Sequence, residues 1–324
     1  MRESTYRRGQ LHDFSALFSS ARRSVVTATC FDSSCDPAAK TQSTPGACRS
    51  LGVMAIALIT GGTSGIGAEF ARQLARDGSD LVLVARNETR LDATASRLST
   101  EFGVTVETIS ADLADRDDVL RVAHRLADRA KPIDLFVNNA GFGVHARLTD
   151  VDSASVHEHA FDVMCRAVLI LAGTAGRAMR ERGSGRIINV SSIAGLVTMG
   201  SYSAIKAWVA SYSQGLSVEL RNTGVTVTAL MPGWVITEFH ERAGIRTGSI
   251  PSFLWIDAPT LVLGALRDSA RGKVISIPTV RYRAIGWFAR HLPRRTIRWI
   301  SAKISSSRSD EGSEPHGVRD TTTT

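Results

Sequence analysis

At 324 residues, 43% of them hydrophobic, the chain is long enough to bury a core without disulfide or metal staples. No stretch approaches the ~20 consecutive apolar residues of a membrane span, the best run, Val163 to Ala172, being broken by Arg166. The start lacks an apolar signal region, and Cys30, Cys35, Cys48 and Cys165 match no disulfide framework or zinc spacing, which points to a reducing, cytoplasmic setting. The net charge of +8 is concentrated: residues 269–309 carry ten basic and no acidic groups, while 54–268 carry 21 basic and 23 acidic, so the basicity does not mark the whole protein as a nucleic-acid binder.

Residues 1–53 are rich in Ser, Thr, Arg and turn formers and show no periodicity. They read as a disordered leader, or as sequence upstream of a start at Met54. A transit peptide is the rival, against which Glu3, Asp13, Asp32 and Asp36 count. Ala55 to Ile59 is uncharged and does not alternate, as expected of a central strand buried on both faces. Gly61, Gly65 and Gly67 follow with the spacing G-x-x-x-G-x-G, leaving side chains out where a backbone must approach a pyrophosphate and where a helix must pack closely on a strand. The helix that follows, over 68–77, turns its unpaired N–H groups toward that phosphate and ends at Gly78.

Asp80 to Ala85 is a second buried strand. An acidic residue at its end would bind the adenosine ribose hydroxyls, whereas a basic one accommodates a 2′-phosphate; here Arg86 follows, which favours NADP over NAD. Helix 88–101, strand Val104 to Ser110, helix 116–130 and strand Ile133 to Val137 continue the alternation, which requires a doubly wound parallel sheet with helices on both faces. Ala111-Asp112-Leu113 and Asn138-Asn139-Ala140-Gly141 fall at strand ends, where ligands collect. A long helix, Ala154 to Arg180, leads to strand Arg186 to Val190, then Ser191-Ser192 and a helix opened by Tyr202 and Lys206. Residues four apart share one helix face, and a nearby cation lowers a tyrosine pKa by favouring phenolate.

Four signals in fixed order, Thr60-Gly61-x-x-x-Gly65-x-Gly67, Asn138-Asn139-Ala140-Gly141, Ser192 with Tyr202-x-x-x-Lys206, and Pro232-Gly233-x-Val235-x-Thr237, strongly resemble the classical short-chain dehydrogenase/reductase family from about Ala55 to about Pro278. The resemblance implies a single three-layer α/β/α Rossmann-like domain with a seven-stranded parallel sheet, an NAD(P) cofactor and a homodimer or homotetramer. It implies that Tyr202 exchanges a proton with the substrate oxygen, that Lys206 lowers its pKa and binds the nicotinamide ribose, and that Ser192, with Ser191 as the alternate register, polarises that oxygen. It further implies that NADP(H) lies on Gly61, Thr63, Ser64, Gly65, Ile66 and Gly67, with Arg86, Asp112, Leu113, Asn139, Ala140 and Gly141 around the adenosine half, and Val235 and Thr237 on the carboxamide. Two departures stand out. The family's central-helix asparagine, which helps feed protons to the lysine, is replaced by Met164, which cannot donate a conventional hydrogen bond. Ser192 precedes Tyr202 by ten residues, a shorter spacing than the family's usual one.

Glu238 to Asp257 is irregular, and the family places a mobile substrate lid here; its Phe239, Ile250, Phe253, Leu254 and Trp255 suggest a lipophilic ketone or alcohol such as a 3-oxoacyl, steroid or other lipid-like substrate. Ala258 to Asp268 reads as a helix and Lys273 to Pro278 as the last strand, closing a catalytic domain over 54–278. A basic amphipathic extension follows over 279–304, interleaving arginines with Trp287, Phe288 and Trp299 over 281–303 and split by Pro293. Such a segment fits a peripheral membrane contact, a sheet-edge cap or an oligomer interface, and carries no nucleic-acid motif. Residues 305–324 read as a disordered tail. His124, His145, His157, His159 and His240 form no metal pattern, so no metal is expected. The reading is an NADP(H)-dependent carbonyl reductase or alcohol dehydrogenase, and the alternative is a cofactor-binding scaffold or sensor with little turnover.

Overall fold

Seven parallel strands in the order β3-β2-β1-β4-β5-β6-β9 make the sheet on which the molecule is built: β1 (Ile56–Thr60), β2 (Asp80–Ala85), β3 (Val106–Ser110), β4 (Leu135–Asn138), β5 (Gly185–Val190), β6 (Val225–Leu230) and β9 (Ile275–Ser276). This computed structural model describes residues 56–144, 146–236 and 252–309, all within one folding unit, Arg49–Thr324. The leader, Cys30, Cys35, Cys48, Met54, His145, Thr237, Phe239, His240, Ile250 and residues 310–324 lie outside the described residues.

The central strands are apolar on both faces because both are covered. On one face α1 (Gly65–Arg76), α2 (Glu88–Phe102) and α7 (Ala258–Ala270) bury Phe70, Leu74, Leu91, Leu98, Leu261 and Val262 against Ile59, Leu81 and Leu83. On the other, α3 (Arg116–Leu126), α5 (Ala167–Arg182) and α6 (Gly200–Glu219) bury Val119, Val122, Leu171 and Ile205 against Leu58, Val82 and Phe136. Each fully buried Leu or Phe contributes roughly 1.5–3 kcal/mol. Helix starts are set by side chains that accept orphan N–H groups: Asn87 from Arg90 N at 2.8 Å, Asp115 from Asp117 N at 2.8 Å, and Asp257 from Thr260 N at 2.7 Å.

The long central helix is not uniform. It comprises α4 (Ala154–Phe161), a π turn over Asp162–Arg166, and α5. The stretch Val151–Arg182 is long and apolar enough, by length and composition, to cross a membrane; here Ala160, Met164, Ala167, Leu171 and Ala175 lie buried in the core of the domain. A π turn widens the helix by one residue, a feature frequent at functional sites, and this one carries Met164 and Cys165 into the core.

Several boundaries differ from the sequence expectation. β3 begins at Val106, α3 ends at Leu126, and β9 keeps only two residues, because only Ile275 and Ser276 register with Ala229 and Leu230. The segment expected to be irregular up to Asp257 contains β8 (Trp255–Asp257), paired in parallel with β7 (Trp234–Ile236). Three residues are too few to show a period, so that strand exists through its partner alone. Past β9 come α8 (Val280–His291) and α9 (Arg294–Ser309), separated at Pro293 as its missing N–H requires. α9 runs past the expected boundary at residue 304, into the serine run read as a disordered tail, because the helical ladder established by Arg294 to Ser301 continues through it.

Candidate active site

The turn after β1 is shaped by its glycines and by one threonine. Gly61 (φ +67) and Gly65 (φ +54) adopt left-handed backbone that a side chain would strain. A Cβ on Gly67 would lie 2.1 Å from Gly61 O and 2.5 Å from Asn139 Nδ2, so only glycine lets α1 close on the turn. Thr60 Oγ1 accepts from Asn139 N at 3.0 Å and Ala140 N at 3.1 Å, and Asn139 Nδ2 donates to Thr60 O at 3.0 Å. The ends of β1 and β4 are thus bolted together, and the Asn139 amide braces the turn. The contribution of Thr60 was not singled out from sequence, although its place before Gly61 is the signal that marks it.

Around this turn the α1 N-terminus carries no acidic residue in its first turn, and Thr63, Ser64 and Ile66 line it half-buried. Arg86 is exposed at the end of β2, and its carbonyl accepts from Ser110 Oγ at 3.3 Å. Asp112 holds its own loop, accepting from Ala114 N at 3.0 Å. Leu113 is buried in the core, so only its backbone can face a ligand. Val235 lies on β7, buried and in register with Ile256. A glycine-rich turn, a helix N-terminus with no acidic residue in its first turn and the exposed Arg86 fit a dinucleotide bearing phosphates.

The second half of the site is built on β5 and α6. Ser191 Oγ donates to Lys206 O at 2.6 Å, and Lys206 Nζ donates to Val190 O at 3.0 Å, tying the helix to the strand end. Lys206 is buried, with Nζ 5.7 Å from the centre of the Tyr202 ring. Ser192 accepts from Ala194 N at 3.1 Å, capping the short 3-10 turn Ile193–Leu196, and its hydroxyl donates to Pro232 O at 3.4 Å, on the side of Tyr202 where it favours the phenolate. The structure places Ser192, Tyr202 and Lys206 together; Ser191, considered as the alternate to Ser192, has its hydroxyl committed to Lys206 O.

The electrostatics of the pair are dominated by burial. Burial pushes the Tyr202 phenol up to about 12, opposed by the Ser192 hydroxyl, and burial pushes Lys206 down to about 8, opposed by the Cys165 thiol. Desolvation is the largest influence on both groups, raising the phenol and lowering the ammonium. Tyr202 therefore keeps its proton at neutral pH and is set to donate it. A Cβ on Gly141 would lie 3.0 Å from Met164 Sδ and 3.5 Å from Lys206 Nζ, so the thioether and the ammonium both pack against Gly141. Burial pushes the Cys165 thiol up to about 11. Among the described residues no cluster of three His, Cys, Asp or Glu is placed to hold a metal.

A residue missed by sequence reading closes the site from behind. Tyr282 on α8 accepts from Trp234 N at 3.0 Å and donates to Leu254 O at 2.7 Å, while its ring fills the space a Cβ on Gly233 would need. Its isolation in a basic, aromatic segment gave no hint of this role.

Residues 55–246 match the family model described as short chain dehydrogenase. The chain belongs to this family. A short-chain dehydrogenase from Sphingobium yanoikuyae, solved in complex with NADPH, is 33% identical with TM-score 0.65, over 82% of this chain and 98% of that one. The bulky-bulky ketone specific alcohol dehydrogenase from Comamonas testosteroni is 30% identical with TM-score 0.63, over 82% and 97%. A Streptomyces virginiae protein assigned as ketoacyl reductase of a monensin polyketide synthase is 41% identical over 202 residues, 60% of this chain and 74% of that one. This short-chain dehydrogenase is accordingly an NAD(P)-dependent oxidoreductase acting on CH–OH or C=O groups.

Proposed function

We propose that this short-chain dehydrogenase is an NADP(H)-dependent reductase of apolar ketones, of the 3-oxoacyl, steroid or other lipid-like class, working in the cytoplasm. The observation that carries the reading is the convergence of Ser192, Tyr202 and Lys206 beyond the end of β5, with the buried Lys206 Nζ 5.7 Å from the centre of the Tyr202 ring; the raised Tyr202 pKa agrees with a phenol that donates its proton. When bound, the nicotinamide supplies the hydride. The Ser192 hydroxyl donates to the substrate oxygen and Tyr202 releases its proton to that oxygen as negative charge develops there. Lys206, with its pKa brought near neutrality, is the group from which the tyrosine is reprotonated. Arg86, exposed after β2, supports a 2′-phosphate and hence NADP(H). Phe253, exposed near the Trp234–Trp255 pair (ring centres 6.2 Å apart), supports a lipophilic substrate. Leu169 and Val218 remain exposed on α5 and α6 and support a homodimer or homotetramer.

The Met164 thioether, packed with Lys206 Nζ against Gly141, favours one second reading, a cofactor-binding scaffold or sensor with little turnover. Following NADPH absorbance against a panel of ketones separates the two. Tyr202→Phe is expected to lose about 10²–10⁴-fold in turnover with NADPH binding retained; oxidation that does not depend on Tyr202 refutes the reductase reading.

A further inference from the structure

The two C-terminal helices bury one face each and expose large side chains on the other. In α8, Tyr282 and Gly286 face inward, Gly286 lying against Ile277, Leu196 and Ile193. In α9, Ile297 and Ser301 face inward, with Ser301 Oγ accepting from Thr198 N at 3.2 Å. At 3.6 residues per turn the opposite face of α8 presents Trp287, Phe288 and His291, flanked by Arg283 on one side and Arg281 on the other. Trp287 and Phe288 are each 56% exposed, yet they are ordered against one another, with ring centres 5.1 Å apart edge to face, and Trp287 stacks on His291 at 4.4 Å. The outer face of α9 presents Trp299, 64% exposed, with Arg295 and Arg298. Residues 280–309 carry eight basic groups and no acidic one.

We propose that the outer faces of α8 and α9 form a docking surface for an anionic lipid bilayer. Charge complementarity selects the occupant. A second copy of the chain would have to bring eight like charges against eight, and a single-stranded nucleic acid, which also stacks on rings among cations, calls for a groove that tracks its backbone, whereas these rings stand on the convex faces of two helices. A bilayer with acidic headgroups takes both parts at once, the arginines at the phosphates and the indole and phenyl rings at the headgroup-acyl boundary. Both helices pack on the residues that follow Ser192, so docking sets the substrate side of the site beside lipid; this last step rests on the reductase reading, whereas the docking itself does not.

The test is flotation of the full chain with vesicles of phosphatidylglycerol and phosphatidylcholine, and with phosphatidylcholine alone. Binding is expected only with the acidic vesicles, lost at about 1 M salt, where the screening length falls to about 3 Å, and accompanied by quenching of tryptophan emission by brominated lipid. Trp287→Ala with Trp299→Ala is expected to weaken binding about tenfold or more. Arg295→Glu with Arg298→Glu should weaken it at least about 25-fold, at roughly fivefold per cation, and the Arg295→Lys, Arg298→Lys pair should restore it. NADPH oxidation with a water-soluble ketone serves as the check that each variant is folded. Absence of flotation, equal binding to neutral vesicles, preferential capture by DNA, or variants that change the oligomer mass and not vesicle binding would each overturn the proposal.

Discussion

Removing the buried ammonium by Lys206→Met tests the electrostatic account of the site directly. The folded-state pKa of about 8 lies below the ordinary 10.5 of a lysine, so the folded protein disfavours the proton that the unfolded chain holds. At about 1.4 kcal/mol per unit, wild type carries a penalty of about 3 kcal/mol below pH 8. That penalty disappears as pH rises from about 8 to about 10.5, where the unfolded chain also loses its proton. The variant lacks this term at every pH. It also leaves Val190 O without its 3.0 Å donor, a cost of about 1 kcal/mol that does not vary with pH. Stability relative to wild type should therefore be highest at pH 6–7 and decline by about 3 kcal/mol toward pH 10.5. Denaturant unfolding of both proteins across that range measures it, and the double difference cancels Tyr202, whose raised pKa makes wild type and variant alike lose stability above about pH 10. A difference that is flat with pH would show that Lys206 is not desolvated, and would remove the basis for a proton held near neutrality beside Tyr202.

Gly67→Ala places a Cβ 2.1 Å from Gly61 O and should lower stability by about 1–3 kcal/mol or more while abolishing the thermal upshift that NADPH gives wild type, both read in one melting experiment. Arg86→Ala is expected to raise the KM for NADPH about tenfold to a hundredfold, as for a lost charge-assisted hydrogen bond, and to leave NADH kinetics unmoved; equal effects on the two cofactors would contradict a 2′-phosphate role. Tyr282→Phe deprives Trp234 N and Leu254 O of their shared hydroxyl and should cost about 1–3 kcal/mol in denaturant unfolding, with a larger rise in substrate KM than in NADPH KM.

The sheet and the cofactor cradle were legible in the sequence because local chemistry dictates them. Apolar runs such as those within Ile56–Thr60 and, after Asp80, within Asp80–Ala85 read as strands covered on both sides, and the glycines at 61, 65 and 67 answer to backbone sterics within a few residues. Ser192, Tyr202 and Lys206 were found in the same way, since strand end, loop and helix face are consecutive. Features held by distant partners were not: the Thr60 hydroxyl at the β4 turn, the β7–β8 pair, and Tyr282 spanning 48 residues to Trp234. The charge state of the pair at the centre also belongs to tertiary structure. Sequence placed an ammonium one helical turn from a phenol; packing then buries Lys206 and partly buries Tyr202, and this desolvation, which no spacing reveals, raises the phenol and lowers the ammonium.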